Sequence, residues 1–247
     1  MLSDATWDAI QQWVDNRFEG AFSDLADDEY DLIPHGERLA NYHGVYVWHM
    51  GQKTLVSLPT DMRTVVSDAV ARTLDDDTSP LTDPAFWQAA LGERVERIVG
   101  PSYQGFVDDA AFQSADENGA RPLTAADQPA LQRFIAACPP DAWQHSAIAP
   151  DHNPLIGLER DGELIALASA PLDGSADEGV RSVGVVTLPA WRGRGAGLAV
   201  VSALTAHCLA HGAVLHYQTL RANLPSIAIA RRLGYEDVAT ALAIRLR

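Results

Sequence analysis

Apolar residues alternate between helical and strand-like spacing along the N-terminal half of the chain. After Ser3, apolar side chains recur three and four residues apart as far as Phe18, which predicts an amphipathic helix. The acidic stretch 24–31 predicts a solvated loop or the exposed face of a helix. The other predicted elements are strands at 45–48 and 54–57, helices at 60–74 and 84–91, and strands at 95–99 and 103–107.

The C-terminal half has a clearer pattern. Asp161-Gly162 separates two apolar runs and predicts a hairpin turn, because both residues tolerate positive φ. The predicted elements are a strand at 121–123, a helix that Thr124 caps, hairpin strands at 155–158 and 164–168, a strand at 183–188, a helix at 198–208, a strand at 214–219, a helix at 226–233 and a strand at 239–246. This order predicts an α/β fold (α+β mixed sheet) with helices on the faces of the sheet.

A polar stretch at 113–119 separates the two halves. It contains almost no residue suited to a hydrophobic core, as is typical of a segment between domains. We therefore predict a smaller α+β N-terminal domain at 1–115 and a second domain at 120–247.

The composition favours a globular protein of the cytoplasm. The 247 residues are 47% hydrophobic, which is enough for an ample core. No stretch approaches the roughly 20 apolar residues of a membrane span, and the first residues show no secretory signal. Cys138 and Cys208 are isolated, so we expect no disulfide.

Charge is distributed unevenly along the chain. The net charge of −15 argues against general binding to nucleic acid. Residues 181–247 nevertheless contain eight arginines and two acidic residues, whereas residues 1–180 contain ten basic and 31 acidic residues. The basic segment indicates either a local site for an anionic ligand or a chance cluster of surface arginines.

A glycine-rich loop connects a predicted strand to a predicted helix within this basic segment. Three glycines in five residues leave backbone N–H groups uncovered, and the following helix adds its unpaired N-terminal donors. Such a loop suits a pyrophosphate. It is not a Walker A loop, because Leu198 stands where Lys-Ser/Thr is needed, and it does not fit the dinucleotide pattern GxGxxG.

Two motifs resemble those of the GCN5-related N-acetyltransferase (GNAT) superfamily. Arg192, Gly195 and Gly197 match its Arg/Gln-x-x-Gly-x-Gly/Ala loop. A later Asn-x-x-Ser element begins at Asn223 and precedes a helix that ends in Gly234-Tyr235. The resemblance covers roughly residues 120–247 and implies a GNAT-like acyl-CoA N-acyltransferase fold there.

The resemblance also implies acetyl-CoA as co-substrate and an amine as acceptor. It implies that the strand binds the pantetheine arm and the thioester carbonyl through Val185, Val186, Thr187 and Leu188. The pyrophosphate would then lie on Arg192, Gly193, Arg194, Gly195, Ala196, Gly197 and Leu198, with Asn223 and Ser226 lining the cofactor. Arg231 is either a ligand of the adenosine phosphate or a solvated helix residue.

The acid and base expected for the family are missing from their usual positions. Ala230 stands where many members have the tyrosine that protonates the leaving thiolate. The strand before the loop has no carboxylate; Glu178 lies just before that strand. Tyr217 and Tyr235 are substitute acids, although packed aromatic residues are the commoner case.

Three functions are compatible with these observations: a catalytic N-acetyltransferase, a non-catalytic acyl-CoA-binding or regulatory module, and a degenerate GNAT-fold interaction domain. The acceptor is a small-molecule or peptide amine. We expect no metal, because His207 and His211 lack further ligands in the expected pattern.

The N-terminal half is a second diverged domain, a lid or an oligomer interface, and a homodimer is left open. It contains no phosphate loop, so we expect no second cofactor.

Overall fold

The computed structural model describes residues 1–27, 29–73, 79–171 and 179–247. Within them, the elements in chain order are α1 (Asp4–Phe18), α2 (Ala21–Asp24), β1 (Tyr30–Pro34), β2 (Gly44–Met50), β3 (Lys53–Leu58), α3 (Arg63–Thr73), α4 (Pro84–Leu91), β4 (Val95–Val107), β5 (Arg121–Pro122), α5 (Gln128–Ala137), α6 (Pro140–His145), β6 (Leu155–Arg160), β7 (Glu163–Ser169), β8 (Val180–Ser182), β9 (Gly184–Thr187), α7 (Ala196–Leu209), β10 (Val214–Leu220), α8 (Leu224–Arg232) and β11 (Glu236–Leu246). None of the helices in these ranges is long and apolar enough to cross a lipid bilayer.

The chain forms two compact units whose segments alternate along the sequence. The first unit consists of Met1–Ala9, Gly105–Gln218 and Pro225–Glu236. The second consists of Ile10–Gln104, Thr219–Leu224 and Asp237–Arg247. The predicted division of the chain into domains at 1–115 and 120–247 stays a prediction.

The second unit is built on strands in the order β1-β3-β2-β11-β4. β1 pairs in parallel with β3, while β2 pairs antiparallel with both β3 and β11. On one side the valine-rich strands bury a core with α3 and α4, which consists of Leu32, Val45, Val47, Val56, Leu58, Val66, Val70, Leu81, Phe86, Trp87, Leu91, Val95, Leu242, Ile244 and Leu246. Trp13 of α1 packs edge-on against Trp48 of β2, with ring centroids 5.8 Å apart.

The first unit contains an antiparallel sheet in the order β5-β6-β7-β9, and β8 pairs with β10 in a different sheet. Asp161 and Gly162 turn β6 into β7 with φ of 54° and 81°, as the hairpin prediction requires. Helix α7 packs against β6, β7 and β9. A second core cluster consists of Leu131, Phe134, Cys138, Ile148, Leu155, Leu164, Leu167 and Val186.

The mixed α/β class is confirmed, and three local predictions need correction. The strands predicted at 95–99 and 103–107 are one strand, β4, because Gly100-Pro101 lies inside it without ending it. Part of the acidic stretch forms β1, an edge strand, where polar side chains can face solvent. The strand predicted at 183–188 begins earlier and consists of β8 and β9. The predicted helix end at Leu74 lies outside the described residues.

Gly234 lies in the turn after α8, at a point of close backbone contact within the first unit. Its φ is +88°, and an added Cβ would lie 2.1 Å from the Ala111 carbonyl oxygen. The Leu233 carbonyl beside it accepts a hydrogen bond from the Gln113 N–H at 3.0 Å. The glycine of the Leu233-Gly234-Tyr235 motif is therefore required by the packing of the backbone.

Gly212, which follows α7, supplies a matched comparison because its φ is +77° and an added Cβ would meet nothing within 4 Å. We expect Gly212→Ala to cost about 1 kcal/mol from the left-handed conformation alone. Gly234→Ala adds a backbone clash, and we expect it to cost roughly 1–3 kcal/mol more. Urea unfolding of the two variants measures the difference; equal losses would show that the contact with Ala111 is not tight.

Candidate functional site

The strand before the glycine-rich loop changes its pairing partner at Val183. Up to Ser182, β8 pairs in parallel with β10, and the Val183 N–H donates to the His216 carbonyl at 2.8 Å. From Gly184 onward, β9 pairs antiparallel with β7 and belongs to another sheet. We call this divergence, between residues 183–187 and β10, the fork.

One edge of β9 faces the opening of the fork with its backbone groups. The Leu188 N–H donates to the Ile165 carbonyl at 3.0 Å, and Val186 is the Cα partner of Leu167. Because hydrogen-bonded residues alternate in an antiparallel ladder, Val185 and Thr187 point their N–H and C=O groups away from β7. Of the four residues predicted to bind the pantetheine arm, these two present backbone groups to the fork.

The glycine-rich loop lies at the start of α7. Gly193 and Gly195 have φ of 71° and 83°, and the chain from Arg192 to Gly195 is exposed. The first intrahelical bond runs from the Ala199 N–H to the Gly195 carbonyl, so the N–H groups of 196–198 precede the helical ladder. The structure thus brings the predicted pyrophosphate residues together at one helix N-terminus, where an anion is stabilised.

Gly197 allows the first turn of α7 to approach its neighbours closely. An added Cβ there would lie 3.2 Å from both the Thr187 hydroxyl oxygen and the Ile229 side chain. The third glycine of the loop therefore serves packing, whereas Gly193 and Gly195 serve backbone conformation.

Arginine side chains surround the loop. The Arg192 Nε donates to the Thr187 carbonyl at 3.2 Å, and the Arg194 guanidinium lies 5.5 Å from the centre of the Trp191 ring. Arg231 is exposed in the last turn of α8. In the part of the chain that the structure describes, no ion pair neutralises Arg194 or Arg231. The positive potential of the loop is therefore available to an anionic ligand.

The Asn-x-x-Ser element is divided between the two units. Asn223 belongs to the second unit, where its side-chain amide donates to the Thr219 hydroxyl at 3.2 Å. Ser226 belongs to the first unit, and its hydroxyl lies 2.9 Å from that of Tyr217. The roles predicted for these two residues stay predictions.

Both tyrosines predicted as substitute acids are buried with bonded hydroxyls. Tyr217 is 1% exposed and contacts Ser226; Tyr235 is 3% exposed, and its hydroxyl lies 2.8 Å from that of Thr205. Burial raises the pKa of Tyr217, and the bond to Ser226 opposes part of that rise. A pKa moved further above neutrality makes a poorer acid at pH 7, so this environment favours a structural role.

The remaining predicted groups add no acid, base or metal site among the described residues. Glu178 lies outside them, and the segment 180–187 contains no carboxylate. Cys138 and Cys208 are buried, and burial raises the pKa of both thiols. His207 and His211 stack with ring centroids 4.6 Å apart, but the described chain holds no group of three or more metal-binding side chains.

The residues that close the fork were not predicted from the sequence. Gly184 stands at the partner change, next to the main chain of Ser146 and Ala147. An isolated glycine within a β-branched run, as in Val183-Gly184-Val185, signals a close backbone approach and could have found this point. No sequence signal indicates the contact between His216 and Ser182, whose Nδ1 and hydroxyl oxygen lie 3.1 Å apart.

Comparison with known proteins shows similarity to one family over part of the chain. Residues 121–235 match the model of the acetyltransferase (GNAT) family. A GNAT-family acetyltransferase from Colwellia psychrerythraea is 15% identical with a TM-score of 0.52, over 78% of this chain and 76% of its own. A GNAT-family protein from Novosphingobium aromaticivorans is 24% identical with a TM-score of 0.47, over 62% of this chain and 67% of its own. No curated protein matches the chain.

The paired hydroxyls of Tyr217 and Ser226 give a test of the local geometry. We expect Tyr217→Phe and Ser226→Ala each to lower the free energy of unfolding by about 1 kcal/mol, because each leaves one partly buried hydroxyl without its partner. The double variant should lose less than the sum, by roughly 0.5–1 kcal/mol. Urea unfolding of the four proteins measures this coupling, and strict additivity would show that the two hydroxyls do not interact.

Proposed function

We propose that the protein transfers an acetyl group from acetyl-CoA to an amine, because residues 121–235 match the model of the acetyltransferase (GNAT) family. The proposal is supported above all by one observation: the fork and the anion-binding loop lie on the same short stretch of chain. A cofactor with a pyrophosphate at one end and a thioester at the other matches that arrangement.

The distances along the strand fit the cofactor. From Gly184 to Leu188 the chain covers about 13 Å at the usual rise of a strand. A pantetheine arm is extended and of similar length. With its pyrophosphate on the N–H groups at the start of α7, its thioester would reach the closed end of the fork.

The backbone of β9 would then activate the thioester. Val183 already donates its N–H to His216, so Val185 offers the first N–H of the strand that points into the fork. A fixed N–H donor at the thioester carbonyl stabilises the negative charge that develops on its oxygen during attack. The amine nitrogen forms a bond to the carbonyl carbon, and the carbon–sulfur bond breaks to release the thiolate of CoA.

Proton transfer needs little help from this site. A thiolate is a fairly good leaving group, since a free thiol has a pKa of about 8.5. The acceptor must attack as the neutral amine, and its proton passes to water or to a base. Glu178, Tyr217 and Tyr235 stay candidates for acid or base, and the buried tyrosine hydroxyls favour catalysis without them.

The charge of the chain supports a cationic acceptor. Residues 1–180 carry 31 acidic and ten basic residues, an excess that attracts amines in their protonated form. Small amines, amino acids, antibiotics and protein N-termini all present an amine of this kind.

A non-catalytic acyl-CoA-binding module is the second candidate function. Ala230 at the usual tyrosine position and the absence of a carboxylate from 180–187 favour it. Release of CoA in the presence of an amine separates the two functions, because a binding module releases none.

The test of the proposal is calorimetric titration with acetyl-CoA. We expect binding of one equivalent, and we expect Gly195→Asp to abolish it, because a carboxylate in the loop repels the pyrophosphate. Gly212→Asp is the matched control: it lies at the other end of α7, with φ of +77° against +83° and equally open space around its Cβ. It introduces the same charge and similar backbone strain, and we expect it to bind like the unaltered protein.

Gly195→Asn adds a side chain of nearly the same shape as Asp but without the negative charge. We expect it to retain part of the affinity for acetyl-CoA. An assay of free thiol with a panel of amines follows for the variants that bind. Failure of the unaltered protein to bind acetyl-CoA would overturn the proposal, as would equal binding by Gly195→Asp and Gly212→Asp.

A further inference from the structure

The end of the fork is covered by a segment of main chain that follows α6. We call the residues Ser146–Ala149 the roof. An added Cβ on Gly184 would lie 2.5 Å from the Ser146 carbonyl oxygen, 3.0 Å from Ile148 Cγ1 and 3.2 Å from the Ala147 carbonyl oxygen. The roof therefore touches the first residue of β9, directly beyond the last hydrogen bond between Val183 and β10.

The roof is held at its start by the side chain of Ser146. The Ser146 hydroxyl donates to the Trp143 carbonyl at 2.7 Å and accepts a bond from the Ile148 N–H at 3.2 Å. Ala147 between them has φ of 56°, a conformation that a residue with a side chain adopts only when its surroundings impose it. The position of Ile148 is thus fixed relative to the end of α6.

The roof is held at its other end by His152. The Ala149 N–H donates to the His152 Nδ1 at 3.2 Å, and the same nitrogen lies 3.0 Å from the Ser169 hydroxyl. Ser169 is the Cα partner of Gly184 across the β7–β9 ladder. His152 consequently ties the roof to the strand that lies beside the end of the fork.

The fork is also closed within the plane of its strands. The Val183 N–H donates to the His216 carbonyl at 2.8 Å, and the Ser182 hydroxyl lies 3.1 Å from the His216 Nδ1. His216 is 2% exposed and is therefore packed against its neighbours. A group that enters along β9 therefore meets His216 ahead of it and Ile148 above it.

We propose that this closed end limits the acyl group to acetyl or a group of similar size, and that Ile148 is the side chain that sets the limit. This inference rests on the proposed function, because it takes the thioester to lie at Gly184. An acyl chain that is longer than acetyl must displace Ile148 or break the closure at His216. Both are packed, and a filled core does not accept added methylene groups without displacement of its residues.

The test is calorimetric titration with free CoA and with acetyl-, propionyl-, butyryl- and hexanoyl-CoA, which needs no amine acceptor. For the unaltered protein we expect hexanoyl-CoA to bind roughly tenfold or more weakly than acetyl-CoA. Ile148→Ala removes most of the side chain above Gly184, and we expect it to bring the two affinities within about threefold of each other.

Leu164→Ala is the matched control. Leu164 is buried in the same core cluster as Ile148 but lies near the opposite end of β7 from Ser169, about 17 Å along the strand. This variant also leaves a cavity, and we expect it to keep the preference of the unaltered protein. Ile148→Val is a smaller change for the case in which Ile148→Ala does not fold. We expect it to increase the longest acyl group that binds well from acetyl towards propionyl.

The outcomes separate this inference from the proposed function. Equal affinity of the unaltered protein for all four acyl-CoA esters would overturn the role of the roof while leaving acetyl-CoA binding intact. An unchanged preference in both Ile148 variants, or the same change in Leu164→Ala, would overturn the assignment to Ile148. Absence of binding by every ester would overturn the proposed function as well.

Discussion

The hydrogen bond from the Val183 N–H to the His216 carbonyl is the last one that joins this strand to β10, and the candidate site depends on it. Beyond it the same stretch of chain pairs with β7, so the N–H groups of Val185 and Thr187 are turned to the opening. Strand edges with unpaired groups are costly in most proteins and tend to be covered. Here the exposed edge leads directly to the start of α7, which suggests that a ligand is what completes it.

Glycines mark the places where the backbone of the first unit comes closest to other groups. At Gly184 the neighbour is the roof, and at Gly234 it is the turn at Ala111. Gly195 differs, because nothing lies near its Cβ position and only its positive φ requires glycine. Steric contact therefore explains Gly184 and Gly234 as parts of the fold, while the open surroundings of Gly195 fit a surface that a ligand covers.

The sequence was most informative where local chemistry determines structure. Asp161-Gly162 predicted the hairpin, and the arrangement of glycines predicted the loop at the start of α7, since both depend on the conformations that single residues tolerate. The change of pairing partner at Gly184 depends on tertiary structure. A run of β-branched residues predicts a strand, but it does not show whether that strand pairs with β10 or with β7. For the same reason, the sequence named Tyr217 and Tyr235 as acids on residue type alone, whereas their burial is a property of packing. The strand β1 was not predicted because its sequence is acidic. At the edge of the sheet, Asp31 can be part of a strand and still be exposed to water.

Both the proposed acetyl transfer and the limit on acyl length require the fork to hold a thioester at its closed end. A crystal structure of the protein with acetyl-CoA tests that claim most directly. We expect the thioester carbonyl oxygen within about 3 Å of the Val185 backbone nitrogen and the pyrophosphate on the N–H groups at the start of α7. The acetyl methyl group should contact Ile148. A cofactor whose pyrophosphate lies away from Gly195, or whose thioester lies outside the fork, would contradict the account.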